Sequence, residues 1–222
     1  MSISENQETE SGTSHGEKLY NQAALLALIT IFYNVLEGVV SVWFGLADET
    51  IALLGFGADS FVEVISGIGI WHMVRRLRSS SCQQARDAFE QRALRITGTS
   101  FYILSASLIV TAAINLYQGH RPATTLWGII VSLVSILSMW LLIHAKTRVG
   151  KALGSDAILA DAACTRTCLR LSVVLLASSV GYALTGIGVF DSAGSLLIAW
   201  LSAKEGKEAF DKAVGKKCCC GG

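Results

Sequence analysis

The sequence predicts an all-α integral membrane protein with six transmembrane helices and both termini in the cytoplasm. Three observations carry that reading. Hydrophobic residues make up 52% of the 222-residue chain against 16% charged, with a positive mean hydropathy, so the charges must be confined to short connections. The apolar residues gather into six runs, most of them near the length that crosses about 30 Å of hydrocarbon. The basic residues alternate from one set of connections to the other, as the positive-inside rule requires.

Taken in order, the runs extend from about Gln22 to Leu46, Ile51 to Val74, Ile96 to Tyr117, Leu126 to His144, Leu159 to about Leu184, and Ser192 to Ala203, the last lengthened by Val189 and Phe190. The opening stretch, 1–18, is polar and acidic (Glu5, Glu8, Glu10, Glu17). With no apolar segment in it, it is not expected to be a cleavable signal, and the first run targets the chain. The second connection carries Arg75, Arg76, Arg78, Arg86, Arg92 and Arg95, the fourth Lys146, Arg148 and Lys151, and the tail Lys204, Lys207, Lys212, Lys216 and Lys217. The first connection has only Asp48 and Glu49, the third only Arg121, and the fifth no base, which places both ends in the cytoplasm. Trp43, Trp71, Trp127 and Trp200 fall near run ends, where aromatic belts sit. The expected organisation is an acidic tail over 1–18, a six-helix domain over 19–209 and a short basic, Cys-rich tail over 210–222. The residues after the sixth run are too few for a separate folded domain.

The formal net charge is only +1, and the bases flank membrane runs, so their placement reflects topology and nucleic acid is set aside as a partner. Six cysteines, Cys82, Cys164, Cys168, Cys218, Cys219 and Cys220, lack the even spacing of a disulfide framework and point to metal or redox chemistry.

Chemistry concentrates in the second and fifth runs. Asp59 and Glu63, four residues apart, share one face of a helix inside an apolar stretch. An acid at mid-membrane costs about 3 kcal/mol even on lenient scales, so the pair needs a proton, an Arg or a metal ion. In the fifth run Cys164 and Cys168 repeat the spacing, with Asp161 one turn earlier. Two such helices face to face offer two carboxylates and two sulfurs, enough for a tetrahedral ion. Zn2+ and Cd2+ suit that set, and softer ions such as Cu+ are compatible with it. Counted along each helix from its outer end, Glu63 lies about 18 Å deep and Cys168 about 20 Å, while Asp59 and Cys164 are offset at about 12 and 26 Å. Two carboxylates and two thiolates around a divalent ion leave an excess of negative charge. Arg166 points largely away from the cysteine face, so metal and protons are expected to compete for the ligands.

The stretches Ala58-Asp59-Ser60-Phe61-Val62-Glu63 and Ala160-Asp161-Ala162-Ala163-Cys164-Thr165-Arg166-Thr167-Cys168 resemble the paired motifs of the cation diffusion facilitator (cation efflux) family. Phe190 to Ser195 is similar to the opening of that family's last span, and Lys204-Glu205-Gly206 to its end. The resemblance runs from about Leu19 to Ala209 and covers the transmembrane domain without the family's C-terminal cytoplasmic domain. It implies a non-enzymatic secondary transporter in the cell inner or plasma membrane that exports a divalent heavy metal by proton antiport. It also implies a homodimer. Asp59, Glu63, Cys164 and Cys168 stand at the four ligand positions, where cysteines replace the usual His and Asp of the fifth span. Zn2+ is the expected cargo, with Cd2+, Co2+, Fe2+ and Cu+ as further options.

Around this core, Glu37 and Asn34 in the first run lie on an ion path or form an interhelix contact. Asp161 holds a ligand, pairs with Arg166 or complements a helix end. His72 is read as interfacial. Cys218, Cys219 and Cys220 beside Lys216 and Lys217 capture metal for delivery, carry lipid, or are incidental thiols. A reading from another class is a membrane thiol oxidoreductase or metal sensor that uses Cys164 and Cys168 without transport; the four-residue spacing is not the Cys-x-x-Cys of redox sites.

Overall fold

Backbone inside hydrocarbon has no water to bond, so each apolar run satisfies its own N–H and C=O groups as a helix. The computed structural model describes the backbone of residues 3–48, 50–78, 83–119, 123, 125–154 and 156–214, and side chains from Lys18 onward except at scattered positions, among them 76–94. The six helices are α1 (Ile3–Ala47), α2 (Ile51–Arg78), α3 (Gln83–Gln118), α4 (Leu126–Leu153), α5 (Asp156–Thr185) and α6 (Val189–Ala213). Cys82, Cys218, Cys219 and Cys220 lie outside the described residues.

The helices overrun the apolar runs. Most of the acidic opening is the first part of α1, and the six arginines expected in the second connection belong to the last turns of α2 and the first turns of α3. Lys146, Arg148 and Lys151, expected in a loop, are helical residues of α4. Lys, Arg, Glu and Gln are good helix formers, so nothing in these flanks stops a helix that the membrane has started. What stops α4 is Gly154, left-handed at φ 57°, whose N–H closes onto the Gly150 and Lys151 carbonyls. α5 restarts two residues later.

The helices pack most extensively as α1 on α2, α3 on α6 and α4 on α5. α1 and α2 lie close because glycines face each other across them. A Cβ on Gly57 would sit 2.8 Å from Ser41 Cβ and 2.9 Å from the Val42 backbone nitrogen. α6 is locked to α2 at one end: Asp191 accepts from the Ile51 and Ala52 amides at 2.9 and 3.2 Å. An acid from a distant helix thus caps the positive N-terminus of α2.

Polarity is inverted relative to a soluble bundle. Phe32 and Trp43 are each 71% exposed, whereas Asn34, Glu37 and Ser41 on the same helix, and Asp59 on α2, are buried. Five helices among the described residues, α1 to α5, are long and apolar enough to cross a membrane. α6, expected as the sixth span, falls short of that standard because its second half carries Lys204, Glu205, Lys207, Glu208 and Asp211. The protein is a multi-pass integral membrane protein, and a crossing by α6 is taken up below as a proposal.

Candidate metal site

The close approach of α1 and α2 sets Asn34 opposite Glu63, and the Asn34 Nδ2 donates to Glu63 Oε2 at 3.0 Å. One turn along, Ser60 donates to Glu37 Oε2 at 3.1 Å and the Tyr33 hydroxyl to Glu37 Oε1 at 2.9 Å. Glu37 and Asn34 therefore both face α2, with Asn34 in contact with Glu63 and Glu37 in contact with Ser60. The Asn34 amide is only half satisfied: it is fully buried, and its Oδ1 has no partner among the described residues. An orphaned buried acceptor costs about 1–3 kcal/mol.

α5 supplies the sulfur. The Cys168 thiol donates to Glu63 Oε1, and it lies 3.9 Å from Asp59 Oδ2. Asp59 Oδ1 also meets the Ser202 hydroxyl of α6 at 3.5 Å. Asp59, Glu63 and Cys168 form the one group of acids, histidines and cysteines among the described residues whose ligand atoms converge, all within 4.8 Å of one another. Ligand atoms of a tetrahedral zinc site stand about 3.3–3.8 Å apart, given bond lengths of about 2.0–2.3 Å, so a small inward movement closes the group around an ion. A metal can take this position only by displacing the thiol proton that now bridges Cys168 and Glu63, which makes binding compete with protons.

Cys164 is placed differently. It is half-buried one turn earlier on α5 and is not part of the converging group. Arg166 is exposed, away from the site. Asp161 does not pair with Arg166; its Oδ2 lies 2.9 Å from the Lys146 ammonium. That ammonium also donates to Thr165 Oγ1 at 3.0 Å.

Sequence reasoning missed Lys146, counting it as a loop cation. Lys146 is 1% exposed and forms a buried ion pair with Asp161. A signal was present. On α4 the buried residues Ser135, Met139, Leu142, Lys146 and Val149 recur at helical spacing, so the stripe that faces the bundle runs through Lys146. Also missed were Tyr33, whose four-residue spacing to Glu37 was available as a signal, and Ser60 and Ser202, whose contacts cross between helices and leave no trace in spacing.

The sequence pattern of the cation efflux transmembrane domain matches residues 23–215, which takes in each of the side chains placed above. No curated protein matches the chain closely enough to mark a relative.

Proposed function

The chain belongs to the cation efflux family, a family of metal cation transporters and not of enzymes, and on that premise we propose that it exports a divalent heavy metal from the cytoplasm by proton antiport. The observation that carries this reading is the Asp59–Glu63–Cys168 group, two carboxylates and a thiol held together with, among the described residues, no ammonium or guanidinium in direct contact. In the proposed cycle Cys164, nearer the N-terminal end of α5, meets the ion first, and Asp59, Glu63 and Cys168 hold it at mid-membrane. Together these are the four ligands read from the two motifs. Return of protons to the thiol and carboxyls from the far side releases the metal. Two oxygens and at least one sulfur favour borderline ions, Zn2+ first, with Cd2+, Co2+ and Fe2+ behind it and Cu+ as the soft limit.

The same reading has α6 as a sixth crossing, both termini cytoplasmic, and two copies associating as a homodimer. Support for α6 comes from its position against α2, α3 and α5 and from the Asp191 cap that ties its start to the start of α2. The thiol oxidoreductase alternative gains no support, because Cys168 faces two carboxylates.

Uptake of Zn2+, Cd2+, Co2+, Fe2+, Mn2+, Ni2+ and Cu+ into proteoliposomes under a pH gradient tests the proposal. Zn2+ transport is expected to depend on the gradient and to fall to background in Asp59→Ala and Glu63→Ala. Unchanged transport in those two variants would sink the site.

A further inference from the structure

We propose that Asn34, on α1, is the fourth metal ligand, binding the ion through its amide oxygen. This deepens the reading above and rests on Asp59, Glu63 and Cys168 being the metal site. Three features of the side chain carry it. Asn34 is completely buried in the membrane-crossing part of α1. Its nitrogen already lies on the site, bonded to Glu63 Oε2 at 3.0 Å. Its Oδ1 meets no donor among the described residues. A buried amide satisfied on one side only is uncommon enough to need an explanation. A cation at Asp59, Glu63 and Cys168 supplies the missing partner.

Charge favours the amide as well. Three anionic ligands around a divalent ion leave one excess negative charge. A second thiolate would make that two, in surroundings that penalise unpaired charge. An amide oxygen completes the tetrahedron and adds no charge. The amide is suited to an exchange. Without metal its N–H group stands on the carboxylate as a weak substitute for a cation. With metal, a half-turn about the terminal torsion presents oxygen in place of nitrogen. A ligand from α1 also ties three helices, α1, α2 and α5, to the ion, so that loading and release alter how α1 packs on α2. The oxygen-rich set shifts preference from Cu+ toward Zn2+ and Co2+.

Cobalt binding to the purified full-length protein in detergent tests the assignment, read by visible absorption and equilibrium titration. The wild type is expected to show the strong bands of a tetrahedral ion and charge-transfer absorption for one thiolate per cobalt. Asn34→Leu should weaken cobalt and zinc affinity by about ten- to a hundredfold and dim the visible bands as water enters. Its metal-free thermal stability should be kept, because a half-satisfied amide is lost. Asn34→Asp restores an oxygen ligand and should keep the tetrahedral bands. An Asn34→Leu protein with wild-type affinity and spectrum overturns the assignment, as does charge transfer from two thiolates per cobalt, which would make Cys164 the fourth ligand. Asp59→Ala and Glu63→Ala separate the two ways to fail. If they lose cobalt while Asn34→Leu keeps it, the site stands with a different fourth ligand; if they too bind as wild type, the site itself is wrong and Asn34 falls with it.

Discussion

Two clusters of buried charge lie a few turns apart in this bundle, and they are balanced in opposite ways. Between α4 and α5, Asp161 meets its own counter-ion, Lys146, at 2.9 Å, and Thr165 takes another of the ammonium protons. Between α2 and α5, Asp59, Glu63 and Cys168 converge with amide, thiol and hydroxyl donors but, among the described residues, no cation in direct contact. The first cluster is complete as it stands. The second is an acceptor set in search of a positive charge, and that is what a transporter must offer its cargo. Burial alone does not separate a structural ion pair from a binding site; the presence or absence of a resident counter-charge does.

This contrast can be broken from either side. The largest effect is expected at the open cluster: Glu63→Gln should lower metal transport by at least about a hundredfold. Its metal-free melting temperature in detergent should nonetheless equal or exceed the wild-type value, because an uncompensated acid has gone and an acceptor for Asn34 remains. A clear loss of metal-free stability would show that Glu63 is structural. At the closed cluster the pattern reverses. Lys146→Met strands a buried carboxylate and should cost about 3–5 kcal/mol of stability, most of which returns in the Lys146→Met, Asp161→Asn double variant. If the double variant is no better than the single, the pair is not self-contained.

Asp48, in the turn between α1 and α2, is a smaller third case that sharpens the scale. It is buried, its Oδ2 has no partner among the described residues, and burial pushes its carboxyl above the ordinary range. The folded protein therefore holds this proton to a higher pH than the unfolded chain does. This group's contribution is most favourable below the usual carboxylate range and declines as pH rises through the raised folded value. Asp48→Asn is expected to raise stability at neutral pH by about 1 kcal/mol or less and to flatten that part of the pH profile. A drop in neutral-pH stability would instead mean that the ionised form has a partner.

Several of these residues were legible before any fold was known, and the reason is physical. Helical spacing decides which side chains share a face, so Asp59 with Glu63, and Asp161 with Cys164 and Cys168, could be read along their own helices. Counting rise per residue put Glu63 and Cys168 at similar depth, and the two are in contact. Lys146 was hidden because charge was taken as the end of a span, whereas good helix formers carry α4 on to Gly154. The reach of α6 is the reverse case: its apolar stretch is short, yet the helix itself is 25 residues long.

By itself, then, the sequence determined a membrane protein of helices, a pair of acids that must be answered, and the helix from which the answer comes. Hydrophobic run length and helical period act within one element, and they need no neighbour to be read. Only the tertiary structure decided which cysteine turns toward the acids, that Lys146 belongs to Asp161, that Asp191 caps a helix about 140 residues away in sequence, and that an asparagine oxygen is left without a partner beside the site. Those outcomes depend on how each helix is rotated and how closely it approaches the next, which small residues such as Gly57 and the packing of whole faces set together. No periodicity along a single helix encodes that rotation.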